Sequence, residues 1–443
     1  MTVRILVSLC LFSGWLSVAR ADTGWIRPTS LVGRFVSYVH SDPLSDGSGL
    51  AEGHLNMEGR KPLSPGLEAF VSAEIWGDNR SLSAAHLNQV HDRAVRRPAV
   101  NAVEAYLDFR ADRWDLRIGK QKISWGRAEG MNPTDVFGAF DYADLLDPAR
   151  LGIVALRAFV YPDRAQPDHC LELIFRPLYS PSRAGRSNTR WRPLLDGGRI
   201  GASGAPSAGV SDAGLPAVGV DVVYPATAFS NADYGAKLSR PWSEWDVSVS
   251  YARVTDDLAG GERLGGLWVR PLFLKKRMAG LDAVRTLGEG RWEAHVEAAY
   301  TSTPAGTDDD VLQVVAGGRR AVTDIYRGVD LDLTIEWAGE HVYSYRRDPG
   351  PLIQNLTQRP FPGSVLVESR WDLTEFSSWT VRGAYTFRGA DAWVATAEYA
   401  WRVTDLLELR AGFDALSGKG SRGVQATYEE NDRWRLESTI FFR

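Results

Sequence analysis

The feature that most constrains this chain is an alternation of apolar and polar residues, renewed in segment after segment up to the C-terminus. Between Arg291 and Thr301, Trp292, Ala294, Val296, Ala298 and Tyr300 alternate with Glu293, His295 and Glu297. Val329, Leu331, Leu333, Ile335 and Trp337 alternate with Asp330, Asp332, Thr334 and Glu336. The last third repeats the pattern almost without interruption, with Trp379, Trp393, Leu407 and Trp434 each opening such a row. Successive side chains of a strand point to opposite faces, so this text writes strands with one apolar and one charged face. Helical 3.6-residue periodicity is scarce.

Alternation alone fits two architectures. In a soluble sandwich the apolar face packs on a second sheet; in a membrane barrel it meets lipid and the polar face lines a lumen. Three features favour the barrel. The segments run about ten residues, the length a tilted membrane strand needs. Trp or Tyr recurs at strand ends (Trp114, Trp245, Tyr251, Trp292, Tyr300, Trp337, Trp371, Trp393, Trp401, Trp434), where an interfacial girdle would sit. Long strands also expose long edges, which closure removes.

The expectation is therefore an all-β fold, a single transmembrane antiparallel up-and-down barrel of 16–18 strands. Candidate strands fall near 33–40, 52–60, 66–76, 101–110, 113–120, 150–160, 169–177, 232–241, 244–254, 264–273, 278–288, 291–302, 326–338, 362–372, 377–388, 391–402, 406–414, 422–430 and 433–442. That is an odd number, and closed bacterial barrels are even, so at least one is wrong, most readily within 33–60 or 264–288. Short polar turns are expected at Ala111-Asp112, Trp242-Ser243, Gly288-Glu289-Gly290, Gly389-Ala390 and Asn431-Asp432. Long loops are expected near 77–100, 121–149 and 178–231. The last is rich in Gly, Ala, Ser and Pro and too poor in apolar mass to fold alone.

Residues 1–21 read as a cleaved export signal: Arg4, then an apolar run from Ile5 to Val18, then Ala19-Arg20-Ala21. That run, about 14 residues, is short of the ~20 a spanning helix needs. The barrel would occupy 22–443, placed in the cell outer membrane, with Cys170 as its only thiol and so no internal disulfide. The formal net charge of −4 argues against a nucleic-acid partner.

Chemistry-bearing motifs are few. The seven histidines form no metal-binding spacing, and no nucleophile elbow or phosphate-binding loop occurs, so the expectation is a non-enzyme with no cofactor and no metal. His86 and His91 read as loop residues, and the acidic run Thr307-Asp308-Asp309-Asp310 as a solvated loop tip. His295, between Glu293 and Glu297, reads as part of a polar wall. The expected lumen-facing set is Asp108, Arg110, Asp115, Arg117, Glu293, His295, Glu297, Arg382, Glu398, Arg402, Glu408, Arg410, Arg435 and Glu437. Charges of both signs are interspersed there, so no strong ion selectivity is expected.

The most distinctive text is QKISWGRAEGMNPTDVFGAFDYADLLDPARLGIVALR, from Gln121 to Arg157. Phe137, Phe140, Tyr142, Leu145 and Leu146 give this loop something to bury. It can fold back into a wide barrel and narrow it, with Asn132, Thr134, Asp135 and Asp141 at the constriction, or pack outside on its neighbours. Both readings stand on the sequence.

The same region carries a family resemblance. Tyr106, Asp108 and Arg110, then Trp114, Asp115, Arg117, Gly119 and Gln121, then Trp125 and Gly126 follow a recurring pattern, Y-L/V-D-x-R, W-D-L-R-x-G-K/R-Q and W-G. In this pattern Glu104 to Arg157 resembles porin-like outer-membrane barrels related to the alginate-export type. The resemblance implies a channel or export pore for a polar solute or polysaccharide. It implies as partners the outer-membrane lipids, lipopolysaccharide and the barrel assembly machinery. Such barrels commonly end on an aromatic residue, whereas this chain ends Phe441-Phe442-Arg443. Two further classes fit the same strands: a non-conducting structural or assembly barrel, and a soluble secreted all-β carbohydrate binder. The solute, the pore size and the oligomeric state are not written in the sequence.

Overall fold

The computed structural model describes residues 25–442, apart from 41–48, 81–83, 88–96, 185–189, 192–193, 196–197, 200–223, 227–228, 259, 266–267, 289–291, 305–308, 345–351, 354–361, 389–390, 420–424 and 426–427. The segment 1–21 and the centre of the 178–231 loop lie outside the described residues, as do His91, Thr307 and Asp308.

Eighteen strands pair antiparallel, each with the next in sequence, and the last pairs with the first. They are β1 (Ile26–Tyr38), β2 (Gly49–Ser64), β3 (Leu67–Asp78), β4 (Pro98–Arg110), β5 (Trp114–Gln121), β6 (Ile153–Val160), β7 (Cys170–Arg176), β8 (Asp233–Trp242) and β9 (Trp245–Thr255). The circuit continues through β10 (Lys275–Leu287), β11 (Trp292–Ser302), β12 (Asp310–Tyr326), β13 (Val329–Ser344), β14 (Gly363–Thr374), β15 (Ser377–Thr386), β16 (Asp391–Thr404), β17 (Leu407–Lys419) and β18 (Arg433–Phe441). Closure runs from Ser30 opposite Phe441 to Tyr38 opposite Arg433. The result is a closed up-and-down barrel with no free edge.

Short turns gather at one end. Gly66 makes the β2–β3 turn at φ 77°, where an added Cβ would meet the Arg110 carbonyl at 2.5 Å, so glycine is required there. Ser243 and Arg327 take the left-handed conformation in the β8–β9 and β12–β13 turns. The longest connections, 122–152 and 177–232 among them, leave from the opposite end, whereas 161–169 lies beside the 111–113 turn.

Three of the sequence expectations are corrected. Residues 264–273 are not a barrel strand: Gly260–Gly265 and Trp268–Leu272 form a small hairpin outside the main sheet, paired to Leu352–Ile353. The expected strand 422–430 is not there in its described part, 425 and 428–430, because a 3-10 turn occupies Glu429–Asn431; Asn431-Asp432 is accordingly not a short hairpin turn. A strand was missed at Asp310–Tyr326, whose alternation is interrupted by Gly317-Gly318 and Arg319-Arg320. The glycine is there for space: a Cβ on Gly317 would lie 2.7 Å from Glu336 Cγ and 2.8 Å from His295 Nε2. Two false strands removed and one added turn the nineteen candidates into the eighteen observed. The expected turns at 288–290 and 389–390 fall largely outside the described residues.

The outward face is apolar, with exposed Trp114, Trp242, Trp292, Trp371, Trp379 and Trp401 towards the short-turn end. Tyr234, Tyr251, Tyr300, Tyr343 and Tyr385 form a second tier towards the long-loop end. Among the described residues no helix is long and apolar enough to cross a membrane; the crossing is made by strands. An apolar band between two aromatic tiers on a closed barrel is the surface of an outer-membrane protein. Because every ladder bond must melt together, the unheated protein in sodium dodecyl sulfate should migrate at a different apparent mass from the boiled one. Identical migration of both samples would contradict the closed barrel.

Candidate functional site

Between β5 and β6 the chain does not turn back over the rim. Residues 122–152 touch β11 and β13 on one side and β1 and β18 on the other. A connection between neighbouring strands can reach both of those walls only through the interior. The strand residues it touches therefore define the inward face.

The near end of this loop is held by two wall carboxylates. Glu297 on β11 accepts the backbone N–H groups of Arg127 (2.8 Å), Ala128 (3.1 Å) and Thr134 (2.7 Å). Glu336 on β13 accepts those of Glu129 and Gly130, both at 2.7 Å, and contacts His295 Nε2 at 2.8 Å. The Arg127 guanidinium reaches Asp282 on β10 at 3.1 Å. A carboxylate accepting several backbone donors neutralises groups that an irregular segment would otherwise bury without partners. Gly126, at φ 89°, leaves the room these contacts need, since a Cβ there would collide with Asn132 and Glu297.

Apolar packing continues the attachment. Ile123, Trp125 and Phe137 are buried against Ile153, Ala155, Ile174, Ala252, Val254, Met278 and Ala299, all inward residues of the wall. Gly235 admits the two rings: an added Cβ would sit 2.7 Å from Trp125 and 2.8 Å from Phe137. Ala128 and Met131 pack on Val315, Ala338, Leu366 and Ala384, and further along Leu145 and Leu146 meet Trp191, Leu416 and Tyr428.

The far end is ionic. Asp144 lies 2.6 Å from Arg34 on β1 and 2.7 Å from Arg433 on β18, and Arg433 also holds Asp414 at 2.6 Å. Burial pushes the Asp144 carboxyl up, but Arg433 and Arg34 outweigh it and hold the group well below the usual carboxylate range. Asp141 sits on Arg97 at 2.9 Å, and Arg97 also reaches Glu52 at 3.5 Å. Burial likewise raises Asp141, and Arg97 reverses the shift.

The four residues expected at a constriction lie in this loop, and each is engaged in holding its shape. Asn132 accepts the Asp135 N–H at 3.2 Å, Thr134 donates to Glu297, Asp135 pairs with Arg150, and Asp141 pairs with Arg97. None of the three paired or donating groups presents a free charge to a solute.

The fourteen residues expected on the lumen face all share the parity of Glu297 and Arg433 around the ring. Asp108 lies opposite Arg117 and Arg110 opposite Asp115. Glu293, His295 and Glu297 alternate on β11. Arg382 pairs with Glu368, Arg402 is in register with Glu408, and Arg410 is in register with Glu437. Arg435 bridges Asp414 and Glu398. They do not form one cluster: His295 and Glu297 meet the loop, whereas Arg110, Arg382, Arg402 and Arg410 are largely exposed on its short-turn side. Residues the sequence reading did not single out for the site are Glu336, Asp282, Arg34 and Arg433. In the sequence they are ordinary polar positions of alternating strands, and no local signal separates them from Asp332 or Glu368.

No protein-family model and no curated protein matches the chain. Solved structures do. OccK11 (OpdR) of Pseudomonas aeruginosa matches at TM-score 0.51 and 12% identity, over 93% of this chain and 94% of that one. OccAB3 of Acinetobacter baumannii matches at TM-score 0.51 and 11% identity, over 94% and 98%. The structure of P. aeruginosa OpdK with vanillate matches at TM-score 0.50 and 12% identity, over 93% and 97%. The fold is that of an outer-membrane porin. At these identities the likeness is one of fold, and a closed membrane barrel accounts for both the aromatic tiers and the charged interior.

Removing the far anchor gives a test of how the barrel and its loop are joined. Asp144→Ala removes the carboxylate shared by Arg34, which keeps Glu52 and Asp147, and Arg433, which keeps Asp414. It should cost about 2 kcal/mol of unfolding free energy in a denaturant titration followed by tryptophan fluorescence. Asp332→Ala, which breaks an exposed pair with Arg319, should cost under about 1 kcal/mol. A depressed carboxyl contributes stability above its unfolded pKa and loses it only as pH falls through the lower folded value. The Asp144 contribution should therefore persist at about pH 4, where ordinary carboxyls are half protonated.

Proposed function

We propose that this chain is a passive outer-membrane channel for a small polar solute, with loop 122–152 as its constriction. The observation that carries this reading is the loop's attachment to both walls, Glu297 and Glu336 on one and Arg34 and Arg433 on the other. An eighteen-strand barrel is too wide for its own side chains to fill, so an inward loop sets the narrowest section. Solute leaving the constriction would meet Arg110, Arg117, Arg382, Arg402 and Arg410 interleaved with Asp108, Asp115, Glu398, Glu408 and Glu437. Opposite charges set across a lumen orient a dipolar solute without strong preference for either ion sign. OpdK, a fold neighbour, has been seen with vanillate, which makes small carboxylates the first solutes to try.

The resemblance of 104–157 to alginate-export-type barrels points to a second cargo, a polysaccharide leaving the cell. The course of the loop across the lumen weighs against it, because a chain polymer needs an unobstructed bore. Neither cargo involves catalysis: His295 is occupied by Glu336, which in turn holds the loop.

Planar-bilayer recording of the purified barrel should show discrete single-channel steps. The Glu297→Gln, Glu336→Gln variant, with the loop unhooked, should conduct at least about twofold more and with greater noise. A wild type that folds but never conducts would replace this reading with a structural barrel. Equal conductance in variant and wild type would remove the loop from the constriction.

A further inference from the structure

Outside the lumen, one pair of charges on the barrel wall has no carboxylate partner among the described residues. Arg253 on β9 and Arg277 on β10 stand directly opposite each other in the register. Their neighbours Ala252, Val254 and Met278 are buried in the internal cluster beneath loop 122–152, so the two arginines project from the other, lipid-facing side. Arg253 is two residues from the end of its strand at Thr255, and Arg277 two residues from the start of its own at Lys275, both at the long-loop rim. Among the described residues neither guanidinium has a carboxylate partner; Arg253 lies 6.0 Å from the Tyr234 ring centroid. Two strands over from Arg277, at the start of β12, Asp310 is engaged with the Thr303 N–H at 3.1 Å.

Like charges directly opposite on adjacent strands repel, and an arginine at a lipid-facing position is costly unless it reaches the interface and an anion. The opposite rim shows the ordinary solution: Arg285 pairs with Glu244, and Arg320 lies over the Trp292 ring at 4.4 Å. The surroundings of Arg253 and Arg277 are those of an interface. Tyr251 and Tyr300, in register with Ala279 between them, lie one step deeper towards the bilayer centre. Tyr234 flanks Arg253 and Ser302 flanks Arg277. Beyond Tyr234, Phe175 stacks on Phe229, which is 85% exposed.

We infer that Arg253 and Arg277 form a clamp for a phosphate group of an outer-leaflet glycolipid. Long loops face outward in barrels of this kind, which puts the pair at the level of the outer-leaflet headgroups. Two guanidinium forks side by side match the oxygens of one phosphate monoester, and its charge relieves their repulsion. The tyrosine row below and the exposed Phe229 beside it meet the upper parts of the lipid's acyl chains.

The test uses the mature barrel in detergent, titrated with diphosphoryl lipid A, with the temperature at which unheated mobility is lost as the readout. This readout does not depend on conductance, so it stands or falls separately from the channel reading. Lipid A should raise that temperature, and the Arg253→Gln, Arg277→Gln variant should need at least about tenfold more lipid for the same rise. Arg277→Gln alone should lie between the two, and serves if the double variant does not fold. Arg320→Gln, at the other rim, should respond as wild type does. The clamp is overturned if the double or single variant responds like wild type, or if Arg320→Gln loses the response equally. It is also overturned if dephosphorylated lipid A or inorganic phosphate alone gives the full rise.

Discussion

Everything in this molecule depends on the pairing of Ser30–Tyr38 with Arg433–Phe441, the seam that closes the sheet. In hydrocarbon there is no water to satisfy an open edge, and each unpaired backbone group costs several kcal/mol, so an eighteen-strand sheet is viable only as a ring. Closure also fixes parity. Once β18 pairs with β1 in this register, every inward side chain of the circuit is specified, because a one-residue slip would turn a whole strand inside out.

The seam is where the inner loop takes its far grip. Arg34 and Arg433 come from the two strands that meet last, and both reach Asp144. The loop thus spans from the β11–β13 wall to the closing strands. Its two ends use different chemistry for one reason. At Glu297 and Glu336 the problem is irregular backbone in a confined space, and carboxylates that collect N–H groups solve it. At Asp144 the problem is a buried side-chain charge, and two arginines solve it. Such an arrangement is stiff rather than merely stable, since removing either partner leaves the other charge buried.

How much of this was legible varies with the range of the interaction. Strands such as Trp292–Ser302 and Ser377–Thr386 were readable because alternation is a local property of the chain. Asp310–Tyr326 was not, because Gly317 answers to His295 and Glu336 on neighbouring strands rather than to its own segment. The opposite error, at 264–273, arose because a hairpin outside the barrel uses the same local alphabet as one within it. The lumen-facing residues were readable as one face, yet their division into those that grip the loop and those exposed below it was not. Phe137, Phe140 and the leucines after them announced that the loop had apolar mass to bury; only Gly235, far along the chain, shows that the space was inside the barrel.

By itself, then, the sequence determined most of the strands, their two faces and the aromatic tiers, since these follow from side-chain period and from the solvent each face must meet. The tertiary structure decided the strand number, the course of loop 122–152, and which of many similar charges became anchors. Those properties depend on residues that ring closure brings together, such as Asp144 with Arg433 or Glu297 with Thr134, and contacts between distant segments leave no trace in local periodicity.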